Sequence, residues 1–167
     1  MAAMAETQRE HVPRVDSGEL DTAVAFLGFA RHCVVKKADG LSDEQLRRVL
    51  VGSGTTVLGL VQHLTEVERY WFGHHLLGNA WDADGEHDMD VPADRAAADV
   101  LAGYRAAIED SDRAIRAVGD PDARVAVPVD GNRHTLRWVI AHMTSETARH
   151  AGHADILREQ LDGTTGR

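Results

Sequence analysis

A chain of 167 residues, 43% of them apolar, suits one domain and one core. Its formal net charge of −9 opposes binding to nucleic acid or to an anionic membrane. No apolar run approaches the roughly 18 residues that span a bilayer, and the opening MAAMAETQRE lacks the basic-then-apolar order of a secretory signal. The expectation is a cytoplasmic protein with neither a nucleic-acid nor a membrane partner. The single cysteine, Cys33, cannot form an intramolecular disulfide, and its helical neighbourhood reads as that of a buried, inert thiol.

Residues 1–16, with Pro13 and many polar groups, read as a flexible arm before one domain over 17–165. Leu20, Val24, Leu27 and Ala30 recur at helical spacing and predict a first helix over about 20–37, ended by Asp39-Gly40. Ser42-Asp43-Glu44-Gln45 has the form of a capping box and predicts a short helix to about Leu50. A second long helix runs from Thr55 or Thr56 to about Leu77, where Gly78-Asn79 stops it. The acidic stretch from Trp81 to Asp90 does not fit the spacing of a calcium loop and reads as a solvated crossover. Pro92 suits the start of a third helix, which ends at Gly119-Asp120-Pro121 with a thin stripe of Leu101, Tyr104, Ile108 and Ile115. Val125, Val127 and Val129 predict a small extended excursion, turning at Asp130-Gly131-Asn132. Thr135 caps a last helix that runs to about Leu161. Four long amphipathic helices bury their stripes most simply as a four-helix bundle, so the fold class is all-α.

The last helix carries the chemistry. At 100° per residue, Leu136, Val139, Ile140, Met143, Ala151, Ala154, Leu157 and Leu161 form its core arc. His150 falls inside that arc, Glu146 at its edge one turn earlier, and His142 and His153 just beyond. A carboxylate against an apolar core is costly unless it is paired or binds a metal. Residues four apart on a helix point the same way, and imidazole and carboxylate are ordinary zinc ligands, three of which leave one position open. On the second helix, His63 and His74 flank an inner arc of Leu60, Leu64, Val67 and Trp71. His63 lies where a bundle neighbour would bring it toward His150. A histidine on an apolar face is, however, more often a hydrogen-bonded core residue than a ligand, and Glu–His pairs four apart are common on solvated surfaces. His74 and His75 read as surface residues or supports behind the ligands. His32, His87 and His134 read as ordinary surface residues, and Arg149 and Arg158 as surface salt-bridge formers.

Three stretches, ADGLSDEQLRR, SGTTVLGLVQHLTEVERYWF and TLRWVIAHMTSETARHAGHADILREQLDG, resemble the DinB-like superfamily. They are most similar to its actinobacterial branch, related to mycothiol-dependent maleylpyruvate isomerase and mycothiol S-transferases. The likeness covers most of residues 18–165. It implies a four-helix bundle with a long crossover between the second and third long helices. It also implies a divalent metal, zinc first, with nickel, iron or manganese as alternatives. The ligand pattern falls on His63 in VQHLTEVERYW and on Glu146 and His150 in SETARHAGH, the Glu-then-His form of the isomerase type. The isomerase's smaller substrate-binding C-terminal domain has no counterpart in these residues, so isomerase activity is not the expectation.

A divalent ion on two imidazoles and one carboxylate keeps net positive charge and lowers the pKa of a bound thiol or water. The resemblance supplies the thiol: mycothiol, conjugated to a small electrophile by a metal-dependent S-transferase. In that reading His153 is the catalytic proton carrier, and Tyr70, Trp71 and His142 bind substrate. A hydrolase using metal-bound water and a non-catalytic, stress-response metal-binding bundle are the competing readings. A homodimer is a further expectation.

Overall fold

The computed structural model describes residues 10–81 and 89–166. Five α-helices follow in order: α1 (Glu19–Ala38), α2 (Asp43–Leu46), α3 (Val57–Glu68), α4 (Ala97–Val118) and α5 (Leu136–Asp162). Among the described residues the only β pairing is two isolated bridges, Arg124 with Thr135 and Val129 with Asn132. The all-helical bundle is as the sequence implies, and no helix among the described residues is long and apolar enough to cross a membrane.

The local signals set most boundaries. Ser42 and Gln45 form the predicted capping box at α2. The Thr56 hydroxyl accepts from the Gly59 N–H and the Thr135 hydroxyl from the Trp138 N–H, each satisfying an amide that its helix leaves unpaired. Gly163, at φ 77°, closes α5 in the left-handed conformation that side chains with a Cβ avoid. Two boundaries differ from expectation. α2 stops at Leu46 rather than near Leu50, and α4 begins at Ala97 rather than near Pro92. Both ends meet at one ion: Arg47 donates to the Val91 and Pro92 carbonyls, at 3.1 and 3.2 Å, and also to that of Arg95. These contacts hold the segment before α4 extended.

Cross-helix polar contacts give the direction of each helix. Arg137 pairs with Glu19 and Lys37 with Asp155, so α1 and α5 run parallel. Arg105 meets Asp39 and Arg31 meets Asp112, so α4 runs against α1. His63 lies by Glu146 and Trp71 by Trp138, so α3 runs against α5. The order is up, down, down, up, and the chain between α3 and α4 returns the length of the bundle. Beyond it, the Met89 carbonyl lies back on the start of α3, so near that a Cβ on Gly59 would stand 2.3 Å from its oxygen. Of the predicted acidic crossover, residues 82–88 lie outside the described residues.

One element was not anticipated. α3 passes without a break into a π-helical stretch, Arg69–Leu76, so the predicted second helix is one rod of two windings. The stretch is braced by the valine-rich segment before α5. Val127 N–H bonds the His75 carbonyl at 3.0 Å, and Ala126 N–H that of Leu76 at 3.4 Å.

Apolar contact fills the two halves of the bundle. Leu58, Leu60, Val61, Leu64, Val100 and Tyr104 pack one half. Phe72, Ile115, Leu136, Ile140 and Met143 pack the other. Buried between them is a charge. The Arg31 guanidinium grips both Glu68 carboxylate oxygens at 2.6 Å and Asp112 at 2.8 Å, with all but 2% of the arginine removed from solvent. Removing one partner strands the other in the core. Glu68→Ala is expected to cost about 3–5 kcal/mol in chemical denaturation. Replacing Arg31 and Glu68 together by methionine and leucine should restore most of that loss. A single variant no worse than the double would contradict this role.

Candidate metal centre

Glu146 and His150 sit one turn apart on α5, and His63 reaches them from α3. His63 Nε2 lies 3.2 Å and His150 Nε2 3.0 Å from the same oxygen, Glu146 Oε1. The two imidazole rings are 4.8 Å apart and nearly edge to face. One ligand atom from each of the three residues falls within 4.8 Å of the others, near enough for the group to hold a single ion with small side-chain rotations. Side-chain exposures of 13% for His63, 24% for Glu146 and 7% for His150 make a pocket that is shielded yet open on the carboxylate side. The donor set is two neutral nitrogens and one carboxylate, which suits zinc and leaves a coordination position free.

The electrostatics match. Burial pushes the Glu146 carboxyl up, but the hydrogen bonds from His63 and His150 outweigh it and hold the group below the usual carboxylate range. Burial lowers the His150 imidazole, against the pull of Glu146. It lowers that of His142 likewise. At neutral pH the trio is therefore an ionised carboxylate facing uncharged His150.

His150 uses its other nitrogen as well. Its Nδ1 lies 3.3 Å from His153 Nδ1, so one ring donates to the other and the His150 orientation is fixed from behind. His153 itself is exposed. On the other side of the trio, His142 packs against Trp71 with ring centres 4.6 Å apart. The ring of the remaining expected substrate residue, Tyr70, meets Trp71, His74, His75 and Trp81.

Several side chains belong elsewhere than the sequence suggested. His75 is buried, with its Nδ1 2.9 Å from the Val127 carbonyl, because the π winding turns it inward under Tyr70 and Trp71. Arg158 keeps the expected ion pair, to Asp162 at 2.9 Å, but is buried, since it also caps α1 by donating to the Lys37 and Asp39 carbonyls at 3.1 and 2.7 Å. Cys33 is buried as expected, and burial pushes its thiol up, away from reactivity. Trp138 was missed. It stacks on His134 and on His142, at 3.9 and 5.2 Å. A signal existed: His134, Trp138, His142, Glu146 and His150 recur every four residues and line one side of α5.

Fold and site together define an all-helical, DinB-like bundle with a candidate three-residue metal centre between its second and last long helices. Residues 22–163 match the family described as mycothiol-S-transferase, and the chain belongs to that family. No curated protein matches the chain.

His75 yields a test that is separate from the trio. Burial lowers its imidazole pKa, the neighbouring His74 and His134 add to that, and the hydrogen bond to Val127 opposes it. An unfolded histidine titrates near about 6.5. The unfolded chain thus takes up this proton first as pH falls. Stability from neutral His75 is full above that value and is lost between it and the lowered folded value. Urea midpoints measured from pH 7.5 to 5 should fall less steeply in His75→Gln than in the unaltered protein. Equal slopes would remove His75 from the acid response.

Proposed function

We propose that this protein transfers mycothiol onto an electrophilic small molecule, with a divalent metal, zinc foremost, held by His63, Glu146 and His150. The observation that carries the reading is the convergence of both imidazole Nε2 atoms on one Glu146 oxygen, in a chain of the mycothiol-S-transferase family. When bound, the ion supplies the positive charge that favours a thiolate over a thiol at neutral pH, and only the thiolate is a good nucleophile.

The chain's own residues do the rest. Glu146 keeps the cluster's charge one unit below that of a three-histidine set and sets the spacing of the two imidazoles. His150, with Nε2 toward the ion, carries its proton on Nδ1 and donates it to His153, which locks ring and tautomer. His153, exposed beside the cluster, takes up the thiol proton on Nδ1 when its ring turns away from His150, and passes it to solvent or to the leaving group. The sulfur–carbon bond forms as the electrophile's leaving group departs with its electron pair, or as its double bond takes up that proton. Trp71 and His142 offer an aromatic face and a hydrogen-bonding ring to the sugar-linked thiol.

Elemental analysis after purification without chelator should find about one equivalent of divalent ion per chain, and His150→Ala should lose it. His153→Ala should keep the metal within the roughly 10–100-fold loss in affinity or activity typical of a residue behind a ligand. Its mycothiol-conjugation rate should fall, chiefly in kcat. No metal in the unaltered protein after incubation with zinc would overturn the reading, and so would metal binding without any mycothiol conjugation across a panel of electrophiles.

A further inference from the structure

The face of α5 reads in order from one end of the site to the other. Trp138 and His142 come first, then Glu146 and His150, then His153, Ile156 and Leu157. The helix rises about 1.5 Å per residue, so His142 lies roughly 6 Å to one side of Glu146, and Leu157 roughly 10 Å beyond His150. The two ends differ in chemistry. The first is aromatic and imidazole-rich. The second opens into a cavity of about 210 Å³, lined by Val51, Ile156 and Leu157 with the hydroxyls of Ser53 and Thr55, and walled by His153. His153 is thus shared: one face closes the cavity and Nδ1 meets His150. The larger cavities, of about 510 and 660 Å³, include neither the trio nor His153 among their lining residues.

We propose that the Val51–Ile156–Leu157 cavity is the seat for the apolar part of the electrophile, sized for one substituted ring or a branched alkyl group. This rests on the thiol-transfer reading given above. An apolar cavity of roughly 150 Å³ holds one benzene, so 210 Å³ admits a ring with a small substituent and excludes a fused bicycle from full burial. The sugar-linked thiol is the wrong occupant, because its hydroxyls would lose water to a lining that returns only two hydroxyl partners. That leaves the thiol to the Trp71–His142 end and the hydrocarbon to the Ile156 end, with the reacting atoms between them at the trio. Val51 and Ile156 are then the residues that set which electrophiles are accepted.

The test separates this from the catalytic reading. Full-length metal-free protein, with labelled isoleucine, leucine and valine methyls, is titrated with benzyl alcohol and followed by NMR. Saturable shifts at Val51, Ile156 and Leu157 are expected. They should persist unchanged in His63→Ala and weaken at least tenfold in Ile156→Trp. Ile156 is 55% exposed, so the tryptophan fills the cavity mouth without disturbing the core, and unchanged helical circular dichroism checks this. With mycothiol as the thiol, Ile156→Trp should lower kcat/KM for benzylic electrophiles at least tenfold relative to compact polar ones. Transfer activity without such binding overturns the subsite. Binding without any transfer removes the thiol-transfer reading and, with it, the assignment of this cavity to an electrophile.

Discussion

A guanidinium and a carboxylate enclosed in the middle of a helical bundle set the terms for everything around them. Ions are tolerated there only when geometry satisfies both, and Arg31 meets Glu68 with two parallel bonds while its remaining nitrogen reaches Asp112. The Phe72 ring lies 5.7 Å from the guanidinium carbon and covers its face. One side chain of α1 thereby fixes both α3 and α4, and the fit leaves little freedom to slide. His63 lies five residues before Glu68 on the same rod. The height at which it meets α5 is therefore inherited from a salt bridge on the opposite side of its helix.

α5 answers with a face that serves two purposes. Val139, Ile140, Met143 and Ala154 are buried in the core, while the four-residue rhythm from His134 to His150 runs alongside. A spacing of four slightly overshoots the helical turn of about 3.6 residues, so the polar row drifts across the edge of the apolar arc. That drift is why Trp138 is exposed, Glu146 half-buried and His150 buried. It places the most polar member where water is still near and the most enclosed imidazole where a ligand is best oriented.

The same reasoning explains what the residues disclosed beforehand and what they did not. Caps, glycine stops and apolar periodicity are local, and Ser42, Thr135 and Gly163 announced their helix ends. The placement of His63 against Glu146 needed the family likeness, since helical spacing alone put two ligands on one face and left the third open. The π winding was invisible because nothing in Arg69–Leu76 differs from an ordinary amphipathic stretch; distant backbone partners stabilise it. The burial of His75 and Arg158 went unread for one reason. A charged or polar side chain is expected outside until a specific carbonyl is found for it, and Val127, Lys37 and Asp39 supply those carbonyls only after folding. The Ile156 cavity joins residues a hundred positions apart and had no linear trace.

The clasp between residues 126–127 and the end of the π winding has a mechanical meaning. α5 begins nine residues after Val127, so the two elements that carry the trio are sewn together roughly 18 Å along the rod from His63. A hinge at that end is closed, and the remaining freedom is a torsion of two long rods pinned at one end. Capture of the proposed ion in such a frame would need only side-chain rotation, with little change in overall shape, and scattering profiles of loaded and stripped protein should superimpose.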